Sequence, residues 1–343
     1  MIKQYYSVTI SMISYNDELI IRDCLESIRK QEYPSDKVEI LLVDGGSTDA
    51  TIKIAKEYGA RVIIRKDLKD EPNKRGEISV MTPKTDLIML FSADNRFQEK
   101  DCLLRMIKPF ANSDVVASET LKYGYDKKLP NLCRYFALIG GGDPIAIGLG
   151  KADRMPYDTN KCRLFGKSIE LKDYFLVKFS NDVSKLPTLG ANGFLIRRLL
   201  LEKVGMKNTL HTDTCVKLIN NGYDQFAFIK DSHVIHYINL PIKSFIIRRI
   251  KWIAKYSTED IKRSYTVFHK KDIFKLIWII ISYLTFVFPF IRSVRGFFKK
   301  CDIAWFLHPI ICFIFVFSYS IYYIWKTIRV LKNNFKQCYK VKN

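Results

Sequence analysis

Three short turns, each following an apolar stretch, carry the residue types from which this chain could build a binding site. They are Ser14-Tyr15-Asn16-Asp17-Glu18, Asp44-Gly45-Gly46-Ser47-Thr48-Asp49 and Ser92-Ala93-Asp94-Asn95. A buried strand that ends on a carboxylate and turns sharply into a helix is a nucleotide-binding layout, because the glycines let the backbone approach a ligand. Ser47, Thr48 and Asp49 are of the types that cap a helix, here one starting near Ala50. Ser14, Tyr15 and Glu18 line the first turn, where they would help hold a nucleoside. Lys74 and Arg75, in Asn73-Lys74-Arg75-Gly76, can add positive charge toward a diphosphate.

Strands and helices must hold these turns in place. Apolar stretches ending at Ser14 and Asp44, and others at residues 60–64 and 85–91, read as four strands. Helical patterns over residues 19–30, 51–57, 74–81 and 100–110 alternate with them. That alternation predicts an α/β fold with a mostly parallel, doubly wound sheet and ligands at the carboxyl ends of its strands. Residues 122–187 show the least regular pattern, and a loop-rich insertion there would either shape substrate choice or cover the sheet. Regular signals return at residues 193–196, 199–204 and 212–221, with a strand-like stretch at 232–236.

The net charge of +21 is concentrated at one end. From Asn239 onward there are 20 Lys and Arg against 4 Asp and Glu, interleaved with apolar runs at residues 276–291 and 303–325. This pattern fits an anionic membrane surface, and argues against nucleic acid as the partner. A span needs about 20 apolar residues, so the second run is long enough and the first is marginal. Both the stretch between the runs and the tail are basic, which conflicts with a plain two-span hairpin. The first run is therefore expected to lie in, or re-enter, the cytoplasmic leaflet. Eight scattered cysteines without a Cys-x-x-Cys pair, and an N-terminus unlike a signal peptide, place the first domain in the cytoplasm. Three regions are expected: residues 1–238, a basic interfacial segment 239–271, and two apolar helices with a basic tail, 272–343.

The three turns in combination resemble those of the family 2 glycosyltransferases, inverting enzymes of the GT-A fold, over roughly residues 6–240. The resemblance implies a UDP- or GDP-sugar donor, with Asp44 at the nucleobase. The family's Asp-x-Asp element reads Ser92-Ala93-Asp94 here. Asp94 would thus hold Mg2+ or Mn2+ at the diphosphate, while Ser92 leaves the first position uncharged. Gly190-Ala191-Asn192-Gly193 is similar to the family's acceptor-side glycine segment, and Asp213, in His211-Thr212-Asp213-Thr214, falls at the general-base position. His236 resembles a family histidine near the site. Arg248-Arg249-Ile250-Lys251-Trp252 loosely resembles the Gln-x-x-Arg-Trp element of membrane synthases, with the Gln absent and Lys251 in place of the Arg.

These features together predict a membrane-attached inverting glycosyltransferase acting on a lipid-linked acceptor, in glycoconjugate or cell-surface polysaccharide assembly. The competing reading is a nucleotide-sugar-binding scaffold or regulator whose Ser92 marks an impaired metal site. A dehydrogenase is disfavoured because no Gly-x-Gly-x-x-Gly follows the first strand.

Overall fold

The computed structural model describes residues 5–159, 166–205, 211–256 and 264–341. Strand and helix alternate through β1 (Val8–Ser14), α1 (Glu18–Arg29), β2 (Val38–Asp44), α2 (Thr51–Glu57), β3 (Arg61–Ile64), α3 (Pro72–Met81) and β4 (Leu87–Leu90). Then follow β5 (Asn95–Phe97), α4 (Cys102–Ile107), β6 (Val115–Tyr123), α5 (Asn131–Ile139), α6 (Pro144–Gly148), β7 (Lys167–Glu170) and β8 (Tyr174–Lys178). The α/β part closes with β9 (Phe194–Arg197), α7 (Arg198–Val204), α8 (His211–Asn220) and β10 (Gln225–His236). Four helices complete the chain: α9 (Ile242–Tyr256), α10 (Ile273–Leu284), α11 (Val287–Lys299) and α12 (Leu307–Val341).

One sheet runs through the α/β part in the order β3-β2-β1-β4-β9-β6-β10-β8-β7, with β5 pairing β10. Its first four strands are parallel, as the alternation predicts, but β9 lies antiparallel between β4 and β6. The sheet is therefore mixed. Strands β1, β2 and β4 are buried almost throughout, which is why they read as apolar runs rather than alternating ones.

The region read as loop-rich contains α5, α6, β7 and β8. Its short elements carry too few residues to show a period. Helix α5 is apolar nearly all round, and it does not pack on the sheet alone. Tyr135, Leu138 and Ile139 share one core with Ile279, Trp305, Ile311 and Phe315 from the C-terminal helices. That core crosses the boundary expected at residue 238.

The first apolar run is broken at Thr285-Phe286, where Phe286 adopts φ 62°, and the two halves bend by 78°. Residues 292–299, read as a connector, belong to α11, and Arg292 pairs with Asp158 at 2.9 Å instead of lying free. By length and composition residues 303–328 could cross a membrane, with half of the apolar window buried against protein.

Gly296 faces the Trp305 ring so closely that a Cβ there would lie 2.4 Å from it. Trp305 is fully buried and its indole N–H donates to the Lys300 carbonyl, so the ring has nowhere to move. Gly296→Ala should destabilise the C-terminal helices by about 1–3 kcal/mol, the usual cost of overpacking. Limited proteolysis between α10 and α12, faster in the variant than in the wild type, would register the loss.

Candidate active site

The two leading turns are laced together by their own side chains. Asp44 is fully buried, and one of its oxygens accepts from the Gly46 and Ser47 amides at 2.7 and 2.6 Å. Its other oxygen accepts from the Ser47 hydroxyl at 2.6 Å. Asn16, in the left-handed region at φ 54°, donates its amide to Ser47 and accepts from the Thr48 amide. Asp17 donates its backbone N–H to the Thr51 hydroxyl, and the Glu18 carboxylate accepts from the Ala50 amide at 2.9 Å. Ser14 donates to Asp17, whose carboxyl is raised by burial against the pull of that bond. Tyr15 stands at the mouth beside Gly45, with the Lys69 ammonium 5.0 Å from its ring centre.

Arg75 lies beneath Gly45, donating to the Leu68 and Lys69 carbonyls at 3.3 and 2.9 Å. Its charge faces Asp44, so it supports the turn that a nucleoside would meet. Lys74 stands apart, on the exposed surface with Glu71 at 3.6 Å.

At the third turn Asp94 and His236 meet, Oδ2 to Nε2, at 3.3 Å. Burial acts to raise the Asp94 carboxyl, but His236 and then Arg248 outweigh it and leave it below the ordinary range. Arg248 is exposed, while Arg249 is turned inward and donates to Asp143 at 2.7 Å and to the Tyr319 hydroxyl at 3.1 Å. The expected role of Arg249 at an acceptor therefore gives way to a joint between α9, α12 and the cap of α6.

Asn95 ties this turn to the acceptor-side segment. Its Oδ1 accepts from the Ser92 amide at 3.1 Å, and its Nδ2 contacts Asp94 Oδ1 at 3.4 Å and Asn192 Oδ1 at 3.3 Å. Glycines shape the segment: the Gly193 amide donates to the Leu90 carbonyl at φ +91°, and a Cβ on Gly190 would sit 2.7 Å from the His211 carbonyl. A cleft, with about 660 Å³ of space that includes open solvent, reaches Ser92, Ala191, Asn192 and His211. Ser11, Ile13, Gly76 and Glu77 also line it. Asp213 is 2% exposed and is not among the lining residues; one oxygen accepts from the Tyr265 amide at 2.8 Å. His211, two residues earlier, lines the cleft instead, and desolvation lowers its imidazole from the ordinary value.

Residues 9–204 match the family model described as glycosyl transferase family 2. The chain belongs to that family. Its structure is similar, with a TM-score of 0.53, to the mannosyltransferase PcManGT of Pyrobaculum calidifontis, solved in complex with GDP-Man and Mn2+. The two share 15% identity, over 94% of this chain and 88% of that one, so the likeness is one of GT-A fold. A beta-monoglucosyldiacylglycerol synthase of a Nostoc species is 28% identical over 121 residues, 34% of this chain and 26% of that protein. The dolichyl N-acetyl-alpha-D-glucosaminyl phosphate 3-beta-D-2,3-diacetamido-2,3-dideoxy-beta-D-glucuronosyltransferase of Methanococcus voltae is 42% identical over 50 residues, 15% of this chain and 16% of that protein. The alignments thus span about a quarter or less of these curated relatives.

In this glycosyltransferase the structure brings Ser92, Asp94, Asn192, His236 and Arg248 to one end of the sheet, with Ser14, Tyr15, Glu18 and Asp44 at its neighbouring strand ends. Tyr123 and Arg154, which bond to Asn192, and Asp153 and Glu119, which pair with them, escaped the sequence reading. Their only signal was a charge inside the apolar run of β6. Gly45→Ala would place a Cβ 1.9 Å from the Arg75 guanidinium, which is buried and hydrogen-bonded. The variant should lose about 1–3 kcal/mol of stability. Thermal unfolding of Gly45→Ala, compared with an Arg75→Met/Gly45→Ala double variant, tests whether that clash is the cause.

Proposed function

We propose that this family 2 glycosyltransferase is attached to a membrane, takes a UDP- or GDP-sugar from the cytoplasmic side, and transfers the sugar with inversion to a lipid-linked acceptor. The observation carrying this reading is the shared core that joins α5–α6 of the α/β part to α10–α12, helices that expose large apolar side chains. Phe274, Trp278, Ile281, Phe288 and Phe298 are among the side chains they expose. The relatives named above as acting on a diacylglycerol or a dolichyl phosphate sugar support the same acceptor class. The acceptor is a polyprenyl phosphate or a lipid-linked saccharide, and the product enters glycoconjugate or cell-surface polysaccharide assembly.

The bent pair α10–α11 fits an element that enters one leaflet and returns, with α12 crossing or lying beside it. Twelve residues in α10 rise only about 18 Å, short of the hydrocarbon thickness. The exposed basic residues of 270–300 would then lie at the headgroups of the cytoplasmic leaflet.

Asp94 and His236 present an oxygen and an imidazole nitrogen to one point, a donor pair that fits a divalent cation. Among the described residues no group of three or more such side chains gathers, so the diphosphate and water would complete the shell of Mg2+ or Mn2+. Such an ion neutralises charge developing on the leaving diphosphate. Arg248 lies near enough to add to that charge. Tyr15, with Asp44 and Arg75 under the turn, would receive the nucleoside, and Gly190, Ala191, Asn192 and Gly193 would face the sugar and acceptor. Asp94→Ala should abolish turnover that depends on added Mn2+ or Mg2+, with far-UV circular dichroism unchanged. Full activity of this variant, or of the wild type in EDTA, would remove the metal from the reaction, whereas a wild type that binds nucleotide sugars and transfers none of them would favour the scaffold reading based on Ser92.

A hydroxyl acceptor must lose a proton as the sugar is transferred. Asp213 holds the family's base position, and His211 faces the cleft. Asp213→Asn and His211→Gln, assayed side by side with a panel of labelled nucleotide sugars, separate the two. The true base should cost about two to four orders of magnitude in turnover while nucleotide binding survives. Small losses in both variants would point to an already anionic acceptor, a phosphate, which needs no base.

A further inference from the structure

The α/β core holds a buried ion pair for which the reaction outlined above has no use. Arg154 and Glu119 are 1% exposed each and lie 2.5 Å apart, Nη1 to Oε1. Burial raises the Glu119 carboxyl to about 8 even against the pull of Arg154, while Arg154 itself, with Glu119, Tyr123 and Asp153 around it, remains charged. A pair this deep is a poor source of stability compared with apolar residues of the same size. Its geometry suggests another use. The outer nitrogen, Nη2, donates to the Ala191 carbonyl at 3.3 Å and to the Asn192 carbonyl at 3.0 Å. These are the residues that line the cleft.

Asn192 is the strained point of that segment, at φ 54°. A non-glycine residue keeps such a conformation only where its surroundings over-determine it. Here Arg154 holds the carbonyl, the Tyr123 hydroxyl accepts from Nδ2 at 3.0 Å, and Asn95 contacts Oδ1. Tyr123 in turn donates to Asp153, and the Arg154 guanidinium lies 4.9 Å from the Tyr123 ring centre. Through Asn95 the same network reaches Asp94.

We propose that Arg154, held against Glu119, is a positioning residue that sets the acceptor segment 190–193 at a fixed height above the donor site, with Tyr123 as its second strut. The proposal rests on the reading of this cleft as a nucleotide-sugar and acceptor site. It goes beyond that reading in assigning acceptor geometry to residues that touch neither substrate. Lysine at 154 would keep the charge but lose the fork that spans two carbonyls.

The test uses the full chain in phosphatidylglycerol-containing vesicles. UDP-glucose, UDP-N-acetylglucosamine and GDP-mannose serve as donors with Mn2+, and polyprenyl phosphate and diacylglycerol as acceptors. The variant Glu119→Leu/Arg154→Met replaces both charges together, so no unpaired charge is left in the core. Its calorimetric affinity for the nucleoside diphosphate with Mn2+ should stay within about twofold of wild type, and kcat/KM for the acceptor should fall by about tenfold or more. Arg154→Lys should fall between the two. Tyr123→Phe, which removes one hydroxyl and keeps the ring, should show the same acceptor-specific loss, and it decides the matter if the double variant does not fold. Unchanged acceptor kinetics in whichever variant folds, or an equal loss of donor and acceptor parameters, would overturn the positioning role. Wild-type protein that binds no nucleoside diphosphate at all would overturn the underlying functional reading, an outcome read before any variant is made.

Discussion

The antiparallel seating of β9 between β4 and β6 is the constraint on which the site depends. A parallel strand in that place would deliver residues 190–193 to the opposite end of the strands. With β9 reversed, Phe194 pairs with Leu90 and the Gly193 amide bonds to the Leu90 carbonyl. The start of β9 therefore lies against the end of β4, so the turn bearing Asp94 and the segment bearing Asn192 share one wall of the cleft. Asn95 completes the contact between them. Glycine at 193 permits the approach, because its φ is positive and a Cβ would lie 2.8 Å from Val234.

Much of the polar chemistry in this molecule is turned inward, where it shapes the site indirectly. The Asp44 carboxylate is spent on the amides of its own turn, and Arg75 braces that turn from below. Charged residues also tie the C-terminal helices to the α/β part. Arg134 meets Asp302, Lys151 meets Asp272, Arg292 meets Asp158 and Arg249 meets Asp143, all at 3.0 Å or less. Each tie joins the stretch 131–158 to the helices beyond residue 238. Lys151 also offers its carbonyl to Thr188, at the head of the acceptor-side segment. The acceptor side and the apolar helices thus form one connected piece of structure, a physical link between the surface expected at a lipid bilayer and the place where transfer would occur.

Several elements were legible because their physics is local. The strands β1, β2 and β4, the helices that follow β1 and β2, and the polar residues at their ends all announce themselves through runs of neighbouring residue types. Ser92, Asp94, Asn192 and His236 were likewise readable from motif positions, and the structure brings them together. The first apolar run was expected to lie in or re-enter a leaflet, but its break at Thr285-Phe286 has no strong sequence signal. The short elements of 122–187 were not legible, since four to nine residues do not show a period. Arg249 and Lys74 look alike in sequence as exposed basic residues, yet one is locked between helices and the other lies on the surface.

The sequence alone determined the α/β class, the glycosyltransferase character and the apolar, basic C-terminal part, because each follows from the types and order of short local patterns along the chain. Only the tertiary structure decided which polar groups face the cleft. Whether His211 or Asp213 lines it depends on the Tyr265 amide, which comes from 52 residues further along the chain. Whether Arg154 reaches Ala191 and Asn192 depends on a partner at position 119 and on the reversal of β9. Contacts between residues so far apart are set by how strands pair and how cores close, and no local pattern of residue types encodes them.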